Sequence, residues 1–139
     1  MTHLRISTDP SEFGFAMIHR FLAEESYWAK GLSRARLERA VAHSLCFGGF
    51  IGDAQVAFAR VVTDRATFAH LKDVFVLKPL RGKGYGVALV EAIMSHPDLQ
   101  IVTMTLATND AHELYRRFGF DLHIHPERQM VRPGNFLGA

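Results

Sequence analysis

Between Val74 and Met94 the chain passes from an apolar, partly β-branched run, through Arg81-Gly82-Lys83-Gly84-Tyr85-Gly86, into a run with apolar residues at helical spacing. No other passage constrains the fold so tightly. Val74-Phe75-Val76-Leu77 suits a buried strand, and Pro79, which lacks an N–H, cannot extend a central one. Val87, Leu89, Val90, Ile93 and Met94 then predict a helix from Gly84 to about Ser95, closed before Pro97. The glycines allow a sharp turn whose amides can approach an anion without a Cβ in the way. The start of the helix adds its positive dipole end, and Arg81 and Lys83 add full charges. A dinucleotide fingerprint would require glycine at Val87, and a Walker A loop would require Lys followed by Ser or Thr, so neither pattern is met.

The rest of the chain reads as one domain over residues 1–139. Leu4-Arg5-Ile6 is a short strand, and Asp9-Pro10 opens a helix through about Glu25 with Phe13, Met17, Phe21 and Ile18 inward. Ser33 caps a second helix, on which Leu37, Ala40, Val41 and Ser44 share a side. Strands follow over Leu45 to Ile51 and Gln55 to Val62, joined at Gly52-Asp53, and then over Phe68 to Leu77 after the Asp64-Arg65 turn. A buried strand over Ile101 to Leu106 makes the glycine-turn helix a right-handed crossover. The last helix, Asp110 to Phe118, stops at Gly119, and Phe120 to His125 with Gln129 to Val131 predicts a terminal hairpin. The expected architecture is α/β, a mixed central sheet with helices on both faces and a ligand crevice at the carboxyl ends of its parallel strands.

Composition narrows the function classes. With 48% hydrophobic and 22% charged residues and a mean hydropathy of +0.04, the chain is ordinary for a soluble globular protein. A formal charge of +2 is too small to suggest nucleic-acid binding. No run reaches transmembrane length, and Met1-Thr2-His3-Leu4-Arg5-Ile6 carries no apolar stretch of signal-peptide length, which predicts a cytoplasmic protein without a membrane partner. Cys46 is the sole cysteine and sits between Leu45 and Phe47, so no internal disulfide forms and a buried, unreactive thiol is expected. His123 and His125 alternate on one strand face, but no metal-ligand spacing accompanies them, so no metal is expected.

With these elements in place, the chain resembles the GNAT superfamily of N-acetyltransferases over nearly its whole length. Arg81, Gly84 and Gly86 meet every defined position of the superfamily's acetyl-CoA motif, and Asp73-Val74-Phe75-Val76 with Pro79 resembles the strand before it. Ala111, Leu114-Tyr115 and Gly119-Phe120 resemble its second signature, with Thr108 where asparagine is usual and Asn109 one residue later. The resemblance implies the acyl-CoA N-acyltransferase fold. It also implies direct transfer of an acetyl group from acetyl-CoA, as co-substrate, to a primary amine of a small molecule or peptide in a ternary complex. The amides of Gly82, Lys83, Gly84, Tyr85 and Gly86 and the charge of Arg81 would hold the diphosphate. The backbone of Val74, Phe75 and Val76 would pair with the pantetheine arm, and Thr108, Asn109 and Ala111 would border the cofactor.

Proton management gives the catalytic candidates. Tyr115, protonated at neutral pH, can donate to the departing thiolate, its other role being that of a core aromatic. Asp73, the carboxylate nearest the reacting strand, can accept the amine proton through water or can serve as a structural Asp bonded to backbone. Glu24 and Glu25 are weaker base candidates. Glu25, Tyr27 and Trp28 lie in or beside the loop that would wall the acceptor pocket, where aromatic faces suit a cationic amine. The alternative function is a non-catalytic CoA or acyl-CoA sensor or interaction module, and the terminal strand allows a homodimer.

Overall fold

A computed structural model describes residues 3–135. Its sheet has five strands in the order β1-β2-β3-β4-β5, namely Arg5–Ser7, Leu45–Ile51, Ala54–Thr63, Phe68–Val76 and Thr103–Leu106. The first four run antiparallel to their neighbours, and β5 lies parallel to β4. The two hairpins turn where the sequence predicts. Gly52 has φ +59 in the two-residue β2–β3 turn, and the Asp64 carboxylate of the β3–β4 turn accepts from the amides of Ala66, Thr67 and Phe68.

Helices cover both faces. On one, α3 (Tyr85–Met94) and α4 (His112–Arg116) bury Leu89, Val90, Ile93 and Tyr115 against Leu45, Phe47, Ala59, Val61, Ala69 and Leu71. On the other, α1 (Phe15–Arg20) with its π-helical continuation Phe21–Glu25, and α2 (Arg34–Ala42), bury Ile18, Phe21, Leu22, Leu37 and Val41 against Cys46, Phe50, Phe58 and Phe75. The predicted mixed sheet sandwiched by helices is the one observed.

The long first helix is broken. Asp9 caps a 3₁₀ turn at Pro10–Glu12, Gly14 leaves helical geometry at ψ 83 while its amide bonds Gln55 Oε1 at 2.7 Å, and the helix restarts at Phe15. Breaking it there lets Phe13 turn inward, edge-on to Phe58 at 5.8 Å. The start of the last strand is also shorter than expected, since Ile101 is 80% exposed and pairing begins at Thr103. Helix α4 is a single tight turn, two residues shorter at each end than the predicted Asp110 to Phe118, though the chain turns off at the expected Gly119, at φ +90, with the Phe120 amide bonded back to the Tyr115 carbonyl.

The terminal hairpin predicted over Phe120 to His125 and Gln129 to Val131 does not form. That stretch runs without strand pairing around a 3₁₀ turn at Pro126–Arg128, and Leu122, Ile124, Met130 and Val131 are between 69% and 97% exposed. The alternation of Leu122 and Ile124 marks a strand-like face, but a two-stranded ribbon is marginal without an apolar surface to cover. None of the described chain supplies one.

Strand β4 carries the feature that shapes the cleft. Phe58 pairs with Phe75 and Arg60 with Lys72, which leaves Ala59 opposite both Asp73 and Val74. This bulge places Asp73 at φ +55, a left-handed conformation costing about 1–3 kcal/mol in a non-glycine residue. It also reverses the alternation of faces. Ala69 and Leu71 point into the α3 core before the bulge, and Val74 and Val76 do so after it, while Phe75 joins the opposite core and stacks on Phe21 at 3.9 Å.

Phe58 is fully buried at the junction of Phe13, Phe75 and α1. Phe58→Ala is expected to lower unfolding free energy by about 3–5 kcal/mol in urea titration; a loss below about 1 kcal/mol would show that this core relaxes around the cavity.

Candidate functional site

Pairing of β4 with β5 ends at Leu71 and Leu106, so residues 72–76 keep β3 on one edge and have no strand partner on the other. The predicted Val74, Phe75 and Val76 therefore lie on an edge without a partner strand, along the cleft left where β4 and β5 part, and on it the Val76 carbonyl accepts from the Arg81 side chain. An extended, amide-bearing ligand can complete such an edge by strand addition.

The glycine turn closes one end of this cleft. Gly82 and Gly84 adopt φ +78 and +85, and Gly84 serves as N-cap of the ten-residue helix α3 with no side chain capping the first turn. Four amides at a helix start have no partner within the helix. No protein atom outside the local backbone lies within 4 Å of where a Cβ would stand at Gly82, Gly84 or Gly86, so the surface offered there is backbone alone. Lys83 is exposed, and Arg81 folds back so that its Nε donates to the Val76 carbonyl at 3.0 Å, tying the turn to the end of β4. Tyr85 is turned into the core. This arrangement is chemically suited to a diphosphate, which needs amide donors and positive potential in one small concavity.

The opposite wall is the β5–α4 connection. Thr108 Oγ1 accepts from the amides of Asp110 at 3.4 Å and Ala111 at 3.0 Å, which orders the turn leading into α4, while the first turn of α4 itself, with Ala111 as N-cap, has no side-chain cap. Tyr115, on α4, is 8% exposed and lies edge-on to Phe120. A cavity of about 250 Å³ beside it is lined by Leu106, Thr108, His112, Tyr115 and Phe120 among others. Burial, with smaller contributions from the neighbouring Tyr27 and Asp110, pushes the Tyr115 phenol up to about 12. A larger, shallower hollow of about 570 Å³ against α2 touches none of these groups and is bordered by Asn135, at the end of the described chain.

The third wall comes from the loop after the π-helical turn, whose last residue is the exposed Glu25, next to the exposed Glu24. Ser26 Oγ bonds the Leu22 carbonyl and receives the Ala29 amide, which fixes the loop at its root. Trp28 Nε1 then donates to Asp73 Oδ1 at 2.8 Å, and Tyr27 Oη accepts from the Asn109 amide at 3.2 Å. The residues singled out in sequence on β4, on this loop and on the β5–α4 connection thus meet. Glu24 and Glu25 are placed at the base of the loop and share no described contact with Asp73 or Tyr115.

Asp73 differs most from a simple reading of sequence. Its second oxygen, Oδ2, accepts from Arg60 Nε at 2.8 Å, and both side chains are largely buried, at 6% and 13% exposure. Arg60 Nη1 continues to Ser44 Oγ, which donates to the Ala40 carbonyl at the end of α2. Both Asp73 oxygens are therefore engaged by side chains rather than by backbone. Sequence reading missed Arg60, although a signal existed: an arginine in the otherwise apolar Val56-to-Val62 run must face a core, where it needs an acid. It also missed the hydrogen bond between His70 Nδ1 and Thr105 Oγ1 at 2.7 Å, one rung before the strands part.

Residues 42–122 match the acetyltransferase (GNAT) domain family, a span that includes β2 to β5, the glycine turn and α4. A crystal structure from Xanthomonas campestris pv. campestris, of an acetyltransferase assigned to the GNAT family, superposes with a TM-score of 0.94 at 51% identity, covering 99% of this chain and 97% of that one. A Gibberella zeae protein classed as an acetyltransferase is 29% identical over 82% of this chain and 77% of its own length. Glucosamine-6-phosphate N-acetyltransferase from Arabidopsis thaliana, at 15% identity and a TM-score of 0.60 over 94% of this chain and 98% of that one, shares the fold.

The raised Tyr115 pKa has a definite sign. Below its ordinary value of 10.0 the phenol is protonated folded and unfolded alike; between about 10 and 12 the unfolded chain releases the proton first, so folding stability falls as pH rises through that window. Tyr115→Phe should flatten the alkaline fall measured by urea unfolding between pH 9.5 and 11 (roughly the lower half of that window). An unchanged slope would mean that Tyr115 ionises like a solvated phenol.

Proposed function

We propose that this chain, which belongs to the GNAT acetyltransferase family, transfers an acetyl group from acetyl-CoA to the primary amine of a small acceptor by direct attack within a ternary complex. The observation that carries the reading is the convergence on one cleft of a side-chain-free anion cradle, an unpaired strand edge and a buried, protonated tyrosine. Acetyltransferases of this family use acetyl-CoA, which supplies an activated acetyl thioester.

The protein's contribution divides by residue. Amides at the start of α3 and the charge of Lys83 hold the diphosphate, and Arg81 braces the turn against Val76. The free edge of residues 72–76 orients the peptide-like arm and directs an amide toward the acetyl carbonyl oxygen, where a preorganised donor is worth roughly 3 kcal/mol in the transition state.

Magnitudes define the part of Tyr115. A phenol at about 12 facing a thiolate of ordinary pKa near 8.5 would lose about 5 kcal/mol by surrendering its proton outright. Tyr115 therefore keeps the proton on Oη and donates a hydrogen bond to the sulfur as charge develops there. The attacking nitrogen forms the amide bond, the carbon–sulfur bond breaks with its electron pair going to sulfur, and the proton lost by nitrogen passes through water and ends on sulfur. Asp73 is left to its structural bonds, and water is the proposed acceptor of the amine proton.

Acetyl-CoA should raise the melting temperature, ATP and NAD should leave it unchanged, and release of free CoA thiol in the presence of small primary amines should report turnover. Tyr115→Phe should lower kcat about 100-fold while KM for acetyl-CoA stays within about twofold. A melting shift without turnover on any amine would replace catalysis with sensing, and the absence of any shift would remove CoA from the account.

A further inference from the structure

The loop carrying Tyr27 and Trp28 touches both walls of the cleft at once. Trp28 is fastened to the bulge of β4 through Asp73, and Tyr27 reaches the β5–α4 connection through Asn109. These are the two strands that separate beyond Leu71 and Leu106, so the aromatic pair bridges the gap that their separation opens. The two rings pack edge-on, 4.9 Å between centroids.

The two fastenings are unequal. Trp28 donates to a carboxylate that is itself buried and held by Arg60, and its ring also leans on Phe21, which stacks on Phe75 of β4. A hydrogen bond to an ionised group is roughly twice as strong as a neutral one. The Tyr27 contact is a single neutral bond at 3.2 Å from a residue 55% exposed. Any opening must begin at Tyr27.

We propose that the Tyr27–Trp28 segment is a strap across the mouth of the cleft, hinged at Trp28 by Asp73 and latched at Tyr27 by the Asn109 amide, and that the amine acceptor is admitted when the latch opens. This deepens the acetyltransferase reading and, in its kinetic part, rests on it. Asp73 becomes a positioning residue acting through Trp28. The bulge has a use as well, because the left-handed backbone of Asp73 turns its carboxylate toward α1 and the loop, where a residue in regular alternation would not deliver it.

Trp28 is the sole tryptophan, which makes the strap directly observable. In the ligand-free protein its indole N–H should exchange with deuterium at least tenfold more slowly than a solvated indole; exchange at the solvated rate would overturn the hinge without any variant. Asp73→Ala, which leaves the indole no side-chain acceptor where asparagine would keep a carbonyl oxygen, should red-shift Trp28 emission and at least double its quenching by acrylamide, and an unaltered spectrum would likewise remove Asp73 as the anchor. Tyr27→Phe keeps the ring and deletes the latch. It should lower the emission anisotropy of Trp28 and change kcat/KM for the amine at least fivefold, with KM for acetyl-CoA within twofold of wild type. Unchanged amine kinetics would sink the latch. A general base would betray itself differently, since Asp73→Asn would then erase the acidic limb of the kcat profile, whereas a positioning residue leaves that limb in place. If no amine is ever acetylated, the exchange and fluorescence measurements still decide whether the strap exists, so the two readings fail separately.

Discussion

The buried pair between Asp73 and Arg60 sets the geometry on which the rest depends. An arginine inside an apolar strand requires an acid at hydrogen-bonding distance, and regular pairing would have turned position 73 toward the α3 core. The bulge resolves this by inserting a residue, which brings the carboxylate to Arg60 and Trp28 and returns Val74 and Val76 to the α3 side. A buried ion pair of this kind adds little net stability over an apolar substitute, yet breaking it by removing one partner costs about 3–5 kcal/mol. Its value lies in fixing one arrangement: a β4 that leaves β5 after Leu71 and a free backbone edge that faces the cleft.

The architecture was legible from sequence wherever a local rule decided the matter. Hairpins at Gly52-Asp53 and Asp64-Arg65, the helix after Gly84 and the stop at Gly119 all follow from turn and cap chemistry. Sequence reasoning failed where long-range packing decided. Phe13 had to point inward against Phe58, so the first helix broke at Gly14 despite good helical spacing. The alternation after Phe120 called for a partner strand that the described chain does not supply. Strand-like pattern is a statement about a face, and a face needs something to cover.

The candidate site was legible as a set of residues and illegible as a network. Glycine spacing located the uncapped turn before α3, and the Leu114-Tyr115 signature located the buried phenol. The bridging of the two walls by Tyr27 and Trp28 joins residues 82 and 45 positions apart, and no periodicity carries information over such distances. The substitution of Thr108 for asparagine shows the complementary case. The Thr108 hydroxyl receives the amides of Asp110 and Ala111 in the turn before α4, so a polar side chain still orders that turn where a pattern would mark a departure.

Cys46 lies beneath α2 in strand β2, 3% exposed, with burial pushing its thiol up to about 12. Thiolates, not thiols, react with maleimides and disulfide reagents, so the folded chain behaves as if it had no cysteine at all. It is in effect already a cysteine-free scaffold: single cysteines introduced on the strap or on the Leu122-to-Val131 segment could carry a dye or spin label without competing background. Any native labelling that did appear would report that β2 had parted from α2.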